Sequence, residues 1–251
     1  MVNPTVYVDF TIWHWRIEWS AAMQWRYSWR QLEDIRPMKL YGYYRSSASY
    51  RIRIVLNMKG IDWEYIAVRL DTGQQFEADH VGRNPMKLVP VLDTGNELLA
   101  QSIAIAEYLE TKFPEPSLLP SDPVELAQVR EMQHIISSET QPVTNLRVLK
   151  HLRTEFNQDD AGIDQWCQKW MGSGLDAFES RAKERSADGQ FSFGNSFTLA
   201  DAWLMPQVYN AIRFGLDLEP YPTIRSVVEH CSTIEAVAAA HPNQQPDTPT
   251  K

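Results

Sequence analysis

Apolar residues follow two different spacings along the chain, and the change falls near residue 113. From Met38 to that point, short apolar segments alternate with segments of helical period, which predicts four strands and three helices. The predicted ranges are 39–43, 47–59, 63–68, 76–81, 89–92, 97–99 and 101–112, of which the second, fourth and last are helices. This order is a βαβ unit followed by a ββα unit.

Beyond Pro123 the apolar spacing is helical nearly throughout. The predicted helices span 124–152, with a kink at Pro142, then 164–186 and 199–214. At the start of the last one, Thr198 and Asp201 stand three residues apart, as in a capping box, in which each side chain accepts from the backbone N–H of the other residue. We therefore interpret Thr198 and Asp201 as structural residues and not as catalytic ones.

The segment between these two parts contains four prolines within residues 113–123, which forbid a continued helix and stiffen the chain. We therefore predict an α/β domain at 38–113, a linker at 114–123 and an all-helical domain at 124–251. Residues 1–37 contain five tryptophans among charged residues and lack the features of a secretory signal. We predict an extension outside the fold, and leave open whether it binds a partner or is an appendage from an upstream start codon.

Two local signals predict turns in the first domain. Pro90 cannot donate to a sheet ladder, so the Val89–Pro90 pair predicts a sheet edge or a turn with an unusual peptide bond. Residues 93–96, Asp-Thr-Gly-Asn, predict the hairpin turn that follows.

Charge and cysteine content exclude several classes of protein. The net charge is −8 and the sequence contains no run of basic residues, so we expect no nucleic-acid partner. Cys167 and Cys231 lie far apart without metal-ligand spacing, which predicts no disulfide, no metal and a cytoplasmic setting. No run of 18 apolar residues is present, so we expect no membrane partner. The hydrophobic content of 43% is enough for a buried core.

Hydroxyl and cationic side chains cluster at 44–54, where the first predicted strand gives way to a helix. Ser46 or Ser47 is then placed at the start of that helix. The free N–H groups and the positive end of the helix dipole favour an anion or a thiolate there, by roughly 0.3–1 kcal/mol when the site is exposed.

Six motifs stand in this order along the chain. They are RSSASYRIRI at 45–54, NPMKLVP at 84–90, QSIAI at 101–105, TLAD at 198–201, PQV at 206–208 and HPNQQPDTP at 241–249. Together with the domain order, they resemble the zeta class of glutathione transferases, which includes maleylacetoacetate isomerases and the related bacterial maleylpyruvate isomerases. The resemblance covers the chain from Met38 to its end.

The resemblance implies the glutathione transferase fold, in which a thioredoxin-like α/β domain precedes an all-α domain, and it implies a homodimer. It also implies glutathione as the cofactor. Ser46 or Ser47 would hold the thiolate of glutathione, the backbone of Val89 would pair with its cysteinyl moiety, and Gln101 with Ser102 would hold its γ-glutamyl carboxylate. The other implied glutathione-binding residues are Gln75, Gln141 and Asn145; for Gln75 and Gln141, plain solvent exposure remains the alternative.

Arginine is suited to bind a dicarboxylate substrate, because its planar guanidinium donates two parallel hydrogen bonds to a carboxylate. Arg213 matches a substrate-binding arginine of the family, and Arg45 and Arg147 match the pattern in maleylpyruvate isomerases. Arg45 and Arg213 are also expected to be catalytic, together with the two serines. A surface salt bridge is the alternative for each of the three arginines.

Arg51 and Arg53 lie within the first predicted helix, and we expect them to pair with acids or to support the site. One position departs from the family. Where its members often carry cysteine, this chain has Ala48, so the attacking sulfur has to be that of glutathione.

The implied activity is a glutathione-dependent cis–trans isomerisation of a maleyl keto acid in aromatic compound degradation. A transferase or dehalogenase that consumes glutathione is the alternative enzyme, since the same thiolate serves both reactions. A non-enzymatic glutathione-binding or partner-binding protein is the third reading. The sequence does not distinguish maleylacetoacetate from maleylpyruvate as the substrate.

Overall fold

The predicted βαβ and ββα units are both present in a computed structural model, which describes residues 37–249 of the chain. Their elements are β1 (Met38–Gly42), α1 (Ser47–Met58), β2 (Trp63–Ala67), α2 (Ala78–Arg83), β3 (Val91–Asp93), β4 (Leu98–Ala100) and α3 (Ser102–Lys112). A 3₁₀ turn at Gln74–Phe76 precedes α2. The predicted extension at 1–37 lies, apart from Pro37, outside the described residues.

The four strands form one mixed sheet in the order β2-β1-β3-β4. β1 pairs parallel with β2 and antiparallel with β3, so Leu40 lies between Tyr65 and Leu92. α1 contacts α3, and their buried Ile52 and Ile105 share one core with Leu40 and Leu92. This thioredoxin-like arrangement, followed by a helical remainder, confirms the predicted fold class.

Helices make up the rest of the described chain, as the spacing predicted. They are α4 (Pro123–His134), α5 (Leu146–Glu155), α6 (Asp160–Arg185), α7 (Leu199–Arg213), α8 (Pro222–Ser232) and α9 (Glu235–Ala239). None of the helices within residues 37–249 is long and apolar enough to cross a membrane. The domain boundaries at 113 and 124 stay a prediction, since the core is continuous across them.

The prediction of a single helix over 124–152 is wrong. α4 ends at His134, Ile135–Thr140 form a π-helical turn, and α5 begins after a break that contains Pro142. The wider turn adds a residue per hydrogen-bonded ring, and proline has no N–H with which to continue a helix. Thr140 of this turn packs so closely on α6 that any side chain at Gly174 would clash with it.

α1 is buried on nearly all sides, because α7 covers the face that the sheet and α3 leave open. Arg51 and Arg53 on this helix are both fully buried. Of the two alternatives expected for them, pairing with acids is wrong, since neither forms an ion pair within the described residues, and support of the site stays a prediction. Their donors reach Ser102 and backbone carbonyls instead.

The proline-rich segment after α3 is fixed by one buried lysine. Lys59 Nζ donates to the carbonyls of Phe113 (2.8 Å) and Pro116 (2.9 Å), and it pairs with Glu110 at 2.9 Å. A buried ammonium with three acceptors is well compensated. The end of α1 therefore holds the connection between the two halves of the protein.

The predicted capping box at the start of α7 is present. Asp201 is fully buried and accepts from Ser192 N at 2.7 Å, from Thr198 N at 2.8 Å and from the Thr198 hydroxyl at 3.2 Å. Its carboxylate thus joins the preceding loop to the first turn of α7.

Asp201→Ala should lower the free energy of unfolding by about 3 kcal/mol or more, because three buried donors lose their acceptor at roughly 1–3 kcal/mol each. Thr198→Ala should cost less, about 0.5–2 kcal/mol, as for the loss of one helix cap. Chemical denaturation of both variants measures the difference. Equal losses would contradict the central position given to Asp201.

Candidate active site

A cavity of about 370 Å³ opens at the N-terminus of α1. We call it the α1 cavity. Its lining comes from the loop after β1, the 3₁₀ turn, the loop before β3, the segment between the π-helical turn and α5, the start of α5, and the end of α7. The predicted site residues that line it are Arg45, Ser46, Ser47, Gln75, Val89, Gln141, Asn145, Arg147 and Arg213.

A second cavity of about 440 Å³ lies at the N-terminus of α3, and we call it the α3 cavity. It contains the two remaining predicted residues, Gln101 and Ser102. Val89, Gln141 and Arg147 line both cavities, so the two adjoin. The structure therefore brings all the predicted site residues together, while their individual roles stay predictions.

Ser46 is the N-cap of α1. Its Oγ accepts from Ser49 N at 3.2 Å, and its backbone is extended. Ser47, the first residue of the helix, is buried, and its hydroxyl has no hydrogen-bond partner within residues 37–249. Both hydroxyls thus lie where the helix dipole favours negative charge.

The backbone just before these serines is held from both sides. Tyr44 N donates to Asp247 Oδ2 at 3.0 Å, and Tyr44 O accepts from Arg53 Nη2 at 2.9 Å. Arg53 Nε in turn donates to Ala240 O at 2.9 Å. The tail of the chain and α1 therefore fix the backbone one residue before Arg45.

The loop before β3 is fixed in a similar way. His80 Nε2 and Asn84 Nδ2 both donate to Leu88 O, at 3.0 and 2.8 Å. The next peptide, Val89–Pro90, is cis, which confirms the turn with an unusual bond. Within the described chain no hydrogen bond uses the backbone of Val89, so its N–H and C=O are available to an extended ligand.

The charge of the α1 cavity is opposite to that of the chain. Its cationic lining residues are Arg45, Lys87, Arg147, Lys150 and Arg213, and none of the described lining residues is an aspartate or a glutamate. None of the five forms an ion pair with a carboxylate of the described residues. The surface salt bridges considered for the three arginines are therefore absent from this part of the chain.

Arg213 is held in place at the end of α7. Its Nη1 donates to Asn210 Oδ1 at 2.7 Å, and its guanidinium lies 5.4 Å from the ring centre of Phe214. Surrounding protein desolvates the guanidinium and Arg45 repels it, so the pKa of Arg213 lies below its usual value. Two cations brought together without an acid favour a ligand that carries negative charge.

The α3 cavity combines a helix N-terminus with a buried cation. Gln101 has φ +74°, an uncommon backbone conformation for a residue other than glycine, of the kind that concentrates at functional sites. Ser102 opens α3 and accepts from Arg51 Nη1 at 3.3 Å. Both features suit an anionic group of a ligand.

The neutral amides differ in their surroundings. Gln75 is buried, and its Oε1 has no partner in the described chain, which argues against plain solvent exposure. Gln141 follows the π-helical turn and is half-buried between the cavities. Asn145 caps α5, its Oδ1 accepting from Arg147 N at 3.2 Å, so its amide nitrogen is the atom left to bind a ligand.

The sequence analysis did not identify two cations of these cavities, Lys150 and Lys87. Lys150 follows Arg147 by three residues on α5, a spacing that places both on one helix face and could have revealed it. Lys87 precedes the Val-Pro turn without such a signal. Arg51 was placed on the right helix, but its burial depends on α7 and α3, which are distant in sequence.

Comparison with known proteins identifies relatives that cover nearly the whole described fold. Residues 36–111 match the family model "Glutathione S-transferase, N-terminal domain". The chain is 44% identical over 211 residues to maleylpyruvate isomerase of Ralstonia sp.. The aligned region covers 84% of this chain and 100% of that protein.

Two solved structures are similar in both sequence and fold. The holo structure of a maleylpyruvate isomerase, described as a bacterial glutathione S-transferase in the zeta class, has a TM-score of 0.83 and 43% identity, covering 84% of this chain and 100% of its own. Maleylacetoacetate isomerase from Anaeromyxobacter dehalogenans, solved with dicarboxyethyl glutathione and citrate in its active site, has a TM-score of 0.76 and 44% identity. It covers 85% of this chain and 94% of its own.

Arg213→Ala should weaken binding of succinate, a dicarboxylate probe, by about 10-fold or more, because a charge-assisted hydrogen bond is lost. Binding of butyrate, which has one carboxylate, should fall less. Calorimetry measures both affinities, with the exposed Arg225→Ala in α8 as the matched control. An equal loss in the control would mean that the general surface charge, and not the cavity, binds the probe.

Proposed function

The chain belongs to the zeta class of the glutathione S-transferase family, and from this membership we propose that it isomerises a maleyl keto acid from the cis to the trans form with glutathione as cofactor. The observation that carries the proposal is the α1 cavity, in which five cations and, among residues 37–249, no acid surround a pair of helix-terminal serines. A maleyl keto acid carries two carboxylates, so its charge matches this lining. The relative that holds dicarboxyethyl glutathione and citrate supports the same pairing of ligand and site.

The chemistry of the described residues suits the γ-glutamyl and cysteinyl parts of glutathione. Ser102 and the N-terminus of α3 suit the γ-glutamyl carboxylate, the free backbone of Val89 suits the cysteinyl moiety, and Gln75 offers an unpaired acceptor. When bound, glutathione supplies a thiolate that adds to the cis double bond, permits rotation about the resulting single bond and leaves again. The residues of the chain hold the thiolate, bind the carboxylates and stabilise the developing negative charge.

Ser46 is the hydroxyl that we assign to the thiolate. Its oxygen accepts from Ser49 N, so its proton is directed away from the helix. Accepting one hydrogen bond polarises a hydroxyl and strengthens the bond that it donates. Ser47 lacks this preorganisation and is assigned a supporting role.

No thiol of the described chain competes for the role of nucleophile. Ala48 lines the α3 cavity at the position where the family often has cysteine. Cys167 and Cys231 are fully buried, and burial raises the pKa of both, that of Cys167 to about 12. Thiols so protonated are poor nucleophiles at neutral pH.

Arg213, Arg45 and Arg147 bind the substrate in this proposal. Arg45 and Arg213 both line the α1 cavity, so a ligand bound there lies beside both. A guanidinium near the keto oxygen also stabilises the negative charge that forms when the thiolate adds. We expect the reaction to belong to aromatic compound degradation in the cytoplasm and the protein to be a homodimer; family membership supports these expectations.

Ser46→Gly should lower kcat by about 10²-fold or more, since it removes a charge-stabilising donor. Glycine is nearly as good a helix cap as serine, so the stability should change by only a few tenths of a kcal/mol. Ser46→Thr, which restores a hydroxyl, should recover part of the activity. If Ser46→Gly were fully active and Ser47→Ala inactive, the thiolate would belong to Ser47.

The reaction itself is tested with maleylpyruvate and, separately, maleylacetoacetate. Purified protein with catalytic glutathione should change the ultraviolet absorbance of at least one of them while free thiol stays constant. That result also names the substrate. Thiol consumption only with a halogenated acid, and no conversion of either keto acid, would favour the transferase or dehalogenase reading.

A further inference from the structure

Arg51 carries a charge that the fold leaves uncompensated. Its side chain is fully buried, and no carboxylate of residues 37–249 forms an ion pair with it. Among the described residues, its one side-chain hydrogen bond joins Nη1 to Ser102 Oγ at 3.3 Å, and Nε and Nη2 have no partner there. Burial lowers the pKa of Arg51 to about 9, which keeps the guanidinium protonated at neutral pH. A buried charge without a partner is costly, so the site favours a ligand that supplies one.

The surroundings of Arg51 show where such a ligand would lie. The indole ring of Trp203, 5.4 Å from the guanidinium carbon, closes one side. On another side Arg51 lines the α3 cavity together with Gln101 and Ser102. The N-terminus of the eleven-residue α3 opens into the same cavity. The helix dipole and the guanidinium therefore both favour a negatively charged group in this cavity.

We propose that Arg51 is a positioning residue that makes the α3 cavity selective for the carboxylate of the γ-glutamyl group of glutathione. By donating to Ser102 Oγ, it directs the Ser102 proton into the cavity, towards the carboxylate. The bound carboxylate in turn supplies the counter-charge that the described residues lack. This inference rests on the proposed function, since it names how the cofactor is selected.

Arg53 shows what a purely structural arginine on the same helix looks like. It is equally buried, but its Nε and Nη2 donate to the carbonyls of Ala240 and Tyr44. If Arg51 only filled space beside Trp203, then a methionine of similar length would replace it, and every ligand would be affected to the same degree. Selectivity for one carboxylate separates the two roles.

Two analogues of glutathione isolate that carboxylate. In 4-aminobutanoyl-Cys-Gly the γ-glutamyl group keeps its amine and lacks its carboxylate, whereas glutaryl-Cys-Gly keeps the carboxylate and lacks the amine. Calorimetry of the full chain should show that the wild type prefers glutathione to the aminobutanoyl analogue by about 10-fold or more. In Arg51→Met this preference should fall to less than about 3-fold, and Arg51→Lys should restore part of it.

The glutaryl analogue is the matched ligand control, since its loss of affinity relative to glutathione should be the same in the wild type and in Arg51→Met. An unchanged preference for glutathione over the aminobutanoyl analogue in Arg51→Met would overturn the inference and leave the proposed function intact. Failure of the wild-type chain to bind glutathione would overturn both.

The wild-type protein provides a second measurement that does not depend on the folding of a variant. The guanidinium Nε–H resonance of Arg51, followed by ¹⁵N NMR, should shift when glutathione or the glutaryl analogue binds. It should shift much less with the aminobutanoyl analogue. Equal shifts with all three ligands would show that Arg51 does not sense the carboxylate.

Discussion

The burial of α1 on nearly all sides is the constraint on which the rest of the structure depends. The sheet and α3 pack against one side of the helix, and α7 and α9 pack against the other, so the side chains of its two arginines are fully buried. Arg53 uses its donors on Tyr44 and Ala240, which ties the tail to the loop beside the serines. Arg51 turns towards Ser102 and the second cavity. One helix thus connects both ligand-binding regions, and its own N-terminus forms part of the first.

Electrostatics distinguishes this site from the remainder of the surface. The chain has a net charge of −8, yet five cations and no acid of the described part of the chain line the α1 cavity. An acidic surface repels a dianion, and a basic cleft attracts it, so the approach of a dicarboxylate is directed to the opening. The five cations repel one another when the cavity is empty, and a bound dianion relieves this repulsion. In the proposed function, affinity and selectivity for a dicarboxylate would therefore have a common origin.

Local signals made much of the architecture predictable, and long-range packing set what was not. The capping box at Thr198 and Asp201, the turn at Val89–Pro90 and the helix start at Ser46 each depend on residues a few positions apart. The π-helical turn after His134 has no such signature, so the helix predicted over 124–152 was too long. The burial of Arg51 depends on Ser102 and Trp203, which lie 51 and 152 residues away in the chain. The number of charged residues in the sequence could not show that Arg51 has no acidic partner within residues 37–249.

The bond between Tyr44 and Asp247 has a consequence for the order of events in synthesis. The two residues are 203 positions apart. At roughly 5–20 residues per second, a ribosome needs on the order of 10–40 s to reach Asp247 after it has placed Tyr44. The strands and α1 can assemble during that interval, but the loop that precedes Arg45 obtains its last anchor only near the end of translation. The first half of the fold can thus form before the loop that precedes Arg45 is anchored by Asp247.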